Sequence, residues 1–175
     1  MTLTLSEQIW QQFGAALDML ENAIIACPDD QWDSNSRFWY LAYHTTFWTD
    51  YYLSDTPMEK DYRPPSPFTL SEFGDGVLPE RVYTKQEVIH LLHHGRERLY
   101  HHLKGSETRD LLEKRFTSEY RSFSIFELLL YNMRHVQHHA AQLNLLLRQH
   151  GITPPDWVAR MKRKLDSPGE GEMDS

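Results

Sequence analysis

Apolar residues recur at three- and four-residue steps in four stretches of this chain, and helix start or stop signals bound each stretch. Over residues 6–26, Ile9, Phe13, Ala16, Leu17, Leu20 and Ile24 fall on one helical face, and Pro28-Asp29-Asp30 ends the run. The second stretch, 36–53, has N-cap candidates in Ser34, Asn35 and Ser36 and an apolar stripe of Phe38, Leu41, Thr45, Trp48 and Tyr52. Thr84-Lys85-Gln86-Glu87 is a capping box that opens a third helix, which Gly105 stops just after Lys104. A second capping box, Ser124-Ile125-Phe126-Glu127, opens a fourth helix that reaches His150. Gly151 marks its end, and Pro154-Pro155 bars any continuation.

Between the second and third helices, over 54–83, the pattern collapses. Pro57, Pro64, Pro65, Pro67 and Pro79, with Gly74 and Gly76, mark a long connection with one short helical turn near 69–73. A connection of this length is uncommon in a compact domain and often functional, and its prolines suit either a semi-rigid lid or rim over the site or a crossover that merely spans the bundle. Residues 156–165 read as a short terminal helix, and 166–175, polar and acidic, as a disordered tail. No stretch has the clear period-two alternation of a strand. The pattern predicts an all-α fold: a four-helix bundle in a single domain over 1–165, with a long crossover between helices two and three.

Composition narrows the function. The 175-residue length suits one domain, and no apolar stretch is long enough for a membrane span. Met1-Thr2-Leu3-Thr4-Leu5 lacks the basic start of a secretory leader, so a cytoplasmic protein is expected. The single cysteine, Cys27, excludes a disulfide scaffold or a cysteine zinc ribbon and reads as an inert, partly buried thiol. A formal charge of −7 argues against nucleic-acid binding, and the basic run Arg160-Met161-Lys162-Arg163-Lys164 reads as solvated surface. What stands out is the count of ten histidines.

The string His-x-x-His-His occurs twice, at His90/His93/His94 and at His135/His138/His139, and both contain the i,i+4 spacing that lets two imidazoles reach one ion. Helical facing separates them. On the third helix His90, His94 and His101 lie opposite the stripe of Val88, Leu92, Gly95, Leu99 and Leu103, toward water, and His93 sits on a flank. On the fourth, with a stripe of Ile125, Leu129, Val136, Leu143 and Leu147, His139 falls about 50° and His135 about 90° from its centre, both toward one edge. His138 points away. Gln142 stacks one turn beyond His139. On the second helix His44 lies about 60° off the stripe, sharing its edge with Tyr40 and Tyr51. Burying three imidazoles is costly unless each nitrogen finds a partner, and a divalent cation would satisfy one nitrogen of each.

Four helices, a lone His44 in the second, and His135-Val136-Gln137-His138-His139-Ala140-Ala141-Gln142 in the fourth resemble the DinB-like metalloprotein superfamily, which includes bacillithiol- and mycothiol-dependent S-transferases. The resemblance covers residues 5–150 and implies a three-histidine metal site formed by His44, His135 and His139, with Gln142 behind it. Three neutral imidazoles suit zinc or nickel and leave a coordination position open, where a water could be activated for hydrolysis or a thiol bound; the resemblance implies the second, a small thiol activated for attack on an electrophile. A homodimer is expected on the same ground. No protein nucleophile is required, and none is assigned. Tyr40, Tyr51, Asn132 and Gln142 are the candidates for lining the pocket or orienting the ligands. The other reading is a non-catalytic metal-binding protein of a stress response. The 54–83 segment matches no part of the family pattern, and Ala140 and Ala141 stand where a glycine often precedes the family's Gln.

Overall fold

A computed structural model describes residues 2–34, 36–55, 58–74 and 77–165. The expected tail at 166–175, like Asn35, Pro57 and Gly76, lies outside the described residues. Among the described residues six α-helices and one short hairpin follow in the order α1 (Leu5–Ala26), α2 (Asp29–Trp32), α3 (Phe38–Tyr52), α4 (Lys85–Leu103), α5 (Thr108–Glu113), β1 (Arg115–Thr117), β2 (Ser122–Ser124) and α6 (Ile125–Gln149). The fold is all-α in character. α1 and α3 each pack against both α4 and α6, so the four long helices form a bundle with α1 and α3 at opposite corners.

The helix boundaries follow local chemistry. Thr4 and Glu7 cap α1 reciprocally, and Thr84 and Glu87 do the same for α4, each pair satisfying two backbone N–H groups. At α6 only half of the expected box forms: Ser124 accepts from the Glu127 N–H. Gly105 and Gly151 follow α4 and α6 with φ of 72° and 75°, a region glycine enters without steric cost. The expected serine cap on α3 does not form. That helix starts at Phe38 behind Arg37, which adopts φ 54°, while the Ser34 and Ser36 hydroxyls bond each other at 2.7 Å. The serines shape the preceding turn instead.

Three local expectations are corrected. Pro28 does end α1, but Asp29 and Asp30 then open the short α2. The β1–β2 hairpin pairs Phe116 with Phe123, and at three residues per strand it is too short for an alternating pattern to register. Residues 156–165 form no helix. Their backbone bonds outward to α1: Met161 N–H to Gln11 O at 3.0 Å, and Arg163 O from the Trp10 indole at 2.9 Å. Met161 fills the space that Gly14 leaves open; a Cβ there would sit 2.2 Å from its sulfur.

The long connection is not a strap over solvent. Its Tyr62, Phe68 and Tyr83 are buried against α3: Phe68 and Tyr83 pack on Tyr43 and Tyr62 on Phe47, while Phe73 packs on Tyr51. α3 is therefore covered on its outer side as well, which explains why its own amphipathic stripe is weak. A buried carboxylate fastens this layer. Asp50, fully buried on α3, accepts from the Tyr62 hydroxyl at 2.6 Å and from His94 Nδ1 at 2.6 Å, with Arg98 Nε 3.0 Å away. His94 is thus drawn down from the surface position its facing suggested, and His93 pairs with Glu21 at 2.6 Å. Tyr62→Phe deletes a hydrogen bond to a buried charge while conserving the ring, and should cost about 2 kcal/mol, read as a lower urea midpoint at unchanged slope.

Candidate metal centre

His44 sits midway along α3, and its i±4 neighbours Tyr40 and Trp48 share its edge of the helix. α6 runs antiparallel beside it, with Asn132 Nδ2 donating to Thr49 O at 3.2 Å one stretch further along. That register brings His135 and His139, one turn apart on α6, opposite His44. Ring centroids lie 5.5 Å (His44–His135), 5.1 Å (His44–His139) and 4.5 Å (His135–His139) apart. One nitrogen from each ring falls within 4.8 Å of the others, and among the described residues no other histidine, cysteine or carboxylate group of three does so.

The second nitrogens are where the chemistry is set. His44 Nδ1 donates to the Glu72 carboxylate Oε2 at 2.7 Å, which in the neutral ring selects the tautomer with its lone pair on Nε2. His139 Nδ1 donates to Gln142 Oε1 at 2.7 Å, which leaves its Nε2 in the same condition. His135 Nδ1 is buried without a hydrogen-bond partner among the described residues. Burial, followed by the charges of His139 and His44, depresses the His135 pKa to about 3, and burial lowers that of His139 as well. Three neutral imidazoles turned on one point, one of them with an orphaned nitrogen, fit a divalent cation in a way they do not fit one another.

Glu72 was not legible as a site residue. It belongs to the 3₁₀ turn Ser71–Phe73, at the position where the connection was expected to make a helical turn. Its side chain is 2% exposed and also accepts from the Trp48 indole at 3.1 Å. The Tyr40 phenol faces the same carboxylate, and burial together with that negative charge pushes it up to about 12. Nothing in a proline-rich segment without periodicity ties a particular carboxylate to a particular histidine; the only signal was the turn itself.

The remaining candidates divide by place. Gln142 and Tyr40 stand at the centre. Tyr51 is buried among Trp48, Tyr62, Phe73 and Phe116, and Asn132 joins α6 to α3. Cys27 is 1% exposed and its thiol is pushed up to about 11 by burial, the opposite of an activated nucleophile. A cavity of about 600 Å³ opens beside His135, lined by Tyr131, Arg134, Gln137, His138 and Ala141. A second cleft, about 510 Å³ near His102 and Lys114, shares no residue with the histidine centre.

The protein is thus a helical bundle with a three-histidine cluster between two of its long helices. The chain belongs to the DinB family, whose profile matches residues 71–170. That match takes in Glu72, His135, His139 and Gln142 but stops short of His44, which the packing of α3 against α6 brings to the other two histidines. No curated protein matches the chain, and neither does a solved structure. Among the described residues no helix is long and apolar enough to cross a membrane.

The depressed His135 pKa has a consequence for stability. The unfolded chain takes up a proton near pH 6.5 that the folded protein refuses down to about 3, so the folded state loses ground as the pH falls through that window. In chelator-treated protein, His135→Gln should flatten the dependence of unfolding free energy on pH between about 6 and 4 by up to about 1.4 kcal/mol per pH unit. Denaturant titrations at stepped pH read the slope directly.

Proposed function

We propose that the chain holds one divalent cation, zinc or nickel, through His44, His135 and His139, and that the loaded centre activates a small thiol for transfer to an electrophile or a water for hydrolysis. The observation that carries this reading is the pair of held rings: Glu72 and Gln142 each accept a hydrogen bond from an Nδ1, and one nitrogen of each of the three rings lies within 4.8 Å of the others. Membership of the DinB family and the histidine cluster support metal binding. A cation held by three neutral ligands keeps its full charge and an open position, which lowers the pKa of a bound thiol or water toward neutrality.

The chain's own groups supply the rest. Glu72 holds the His44 ring in one orientation, while the covering layer of the connection keeps that carboxylate out of water. Gln142 holds His139 from the open side. The connection therefore serves the site by fixing a ligand.

Metal content separates these roles. His44→Ala, His135→Ala and His139→Ala should each abolish stoichiometric metal, whereas His138→Ala and His94→Ala should retain it. Full occupancy in a His135→Ala/His139→Ala double variant contradicts the assignment. Glu72→Ala should weaken affinity about 10- to 100-fold, measured by competition with a chelator, with Glu72→Gln in between because it keeps an acceptor and loses the charge. A thiol-consumption screen against model electrophiles then tests the catalytic half of the reading; silence with every cellular thiol and ester tried points to a binding protein.

A further inference from the structure

The His-x-x-His-His string on α4 has no part in the centre between α3 and α6, and its three histidines are placed differently. His93 is turned to α1, with its Nε2 2.6 Å from Glu21 Oε1. His94 Nδ1 donates to Asp50 Oδ1 at 2.6 Å, and in the neutral ring that bond selects the tautomer with its lone pair on Nε2. The bond forms where α4 comes close to α3: a Cβ added to Gly95 would stand 3.8 Å from the Asp50 backbone nitrogen. Asp50 is itself fully buried and further held by the Tyr62 hydroxyl and by Arg98. The His94 ring is therefore fixed along one edge, while 37% of its side chain stays exposed. His90, one turn earlier, is exposed and makes no hydrogen bond or ion pair among the described residues.

An imidazole whose Nδ1 is held by a carboxylate is oriented as a metal ligand is, with the other nitrogen presented outward. An exposed histidine ordinarily gives up rotamer freedom to chelate, and His94 has already lost it to Asp50. Side chains of an α-helix lean toward its N-terminus, which carries His94 back over the turn that holds His90, and i,i+4 spacing lets both rings reach one ion. Two imidazoles with water in the remaining positions suit zinc, nickel or copper and not magnesium or calcium, which take oxygen ligands. We propose that His90 and His94 form a second site for a divalent transition-metal ion on the outer face of α4, with Asp50 as the carboxylate that positions His94. The site shares no residue with the three-histidine centre. It is the weaker of the two, because it has one imidazole fewer and stands open to water. The Asp50 bond alone would serve as a latch between α3 and α4; the exposed His90 one turn away makes a chelating pair of it.

The test titrates zinc into the chelator-treated chain and follows the heat of binding. Wild type should show a tight step and a weaker one. His90→Ala removes an exposed side chain that holds nothing in the fold, and it should abolish the weaker step while leaving the tight one. His94→Ala should do the same, whereas His101→Ala and His138→Ala, at exposed positions, should keep both steps. Asp50→Asn keeps an acceptor for His94 Nδ1 but loses the charge, and should weaken the second step about tenfold. The two metal sites fail separately: a His135→Ala/His139→Ala double variant should lose the tight step and retain the weaker. A single step in wild type overturns the proposal and leaves the His94–Asp50 bond as a latch. A weaker step that persists in His90→Ala overturns it too, since the zinc then sits on other surface histidines. An unchanged weaker step in Asp50→Asn overturns the positioning role of that carboxylate.

Discussion

An imidazole has two nitrogens, and a buried one needs a partner for both. Everything at the centre of this protein follows from how that requirement is met three times in one place. Glu72 and Gln142 each satisfy one nitrogen of a ring, which fixes the tautomer and turns the other nitrogen toward its neighbours. His135 is held by packing and has no such partner on its Nδ1. Protonation cannot relieve the arrangement, because burial and the facing rings oppose a charge on His135. A cation is the simplest group that accepts a lone pair from all three.

The outer layer of the fold exists around this requirement. Glu72 is a carboxylate in a nearly dry position: His44 and Trp48 both donate to its Oε2, while its Oε1 is buried without a partner among the described residues. Tyr62 supplies an anchor by bonding Asp50, itself buried and shared with His94 and Arg98 from α4. A chain of contacts thus runs from a surface histidine on α4, through Asp50 and Tyr62, to Phe73 and its neighbour Glu72 in the connection, and so to His44. The connection is a wall of the site rather than a passage between helices.

The sequence made the long helices and the histidine trio legible because both depend on local periodicity. Capping residues at Thr4, Thr84 and Ser124 and the stops at Gly105 and Gly151 place the ends, and a rotation of about 100° per residue shows that His135 and His139 share an edge. What was hidden is everything decided by long-range packing. The serines before α3 look like caps, yet Arg37 takes that place because the chain must turn sharply there. Residues 156–165 have helical composition but give their backbone bonds to α1. Glu72 and His44 are 28 positions apart with no shared pattern, so their pairing belongs to the tertiary structure alone. His94 shows the same limit in reverse: its facing pointed to water, and a buried Asp50 across the helix interface drew it in.

The central claim is that Glu72 and Gln142 fix the tautomers of His44 and His139 so that their Nε2 lone pairs, together with one nitrogen of His135, are poised before any metal arrives. Long-range proton–nitrogen NMR spectra of the histidine rings test this most directly, recorded on metal-free protein at neutral pH and again after addition of one equivalent of zinc. The account predicts that His44 and His139 are protonated at Nδ1 and bare at Nε2 in the metal-free spectrum, that Glu72→Ala releases His44 from that state, and that one nitrogen of each of the three rings shifts on loading. An Nε2-protonated His44 or His139, or a loaded spectrum in which one of the three rings does not respond, would contradict it.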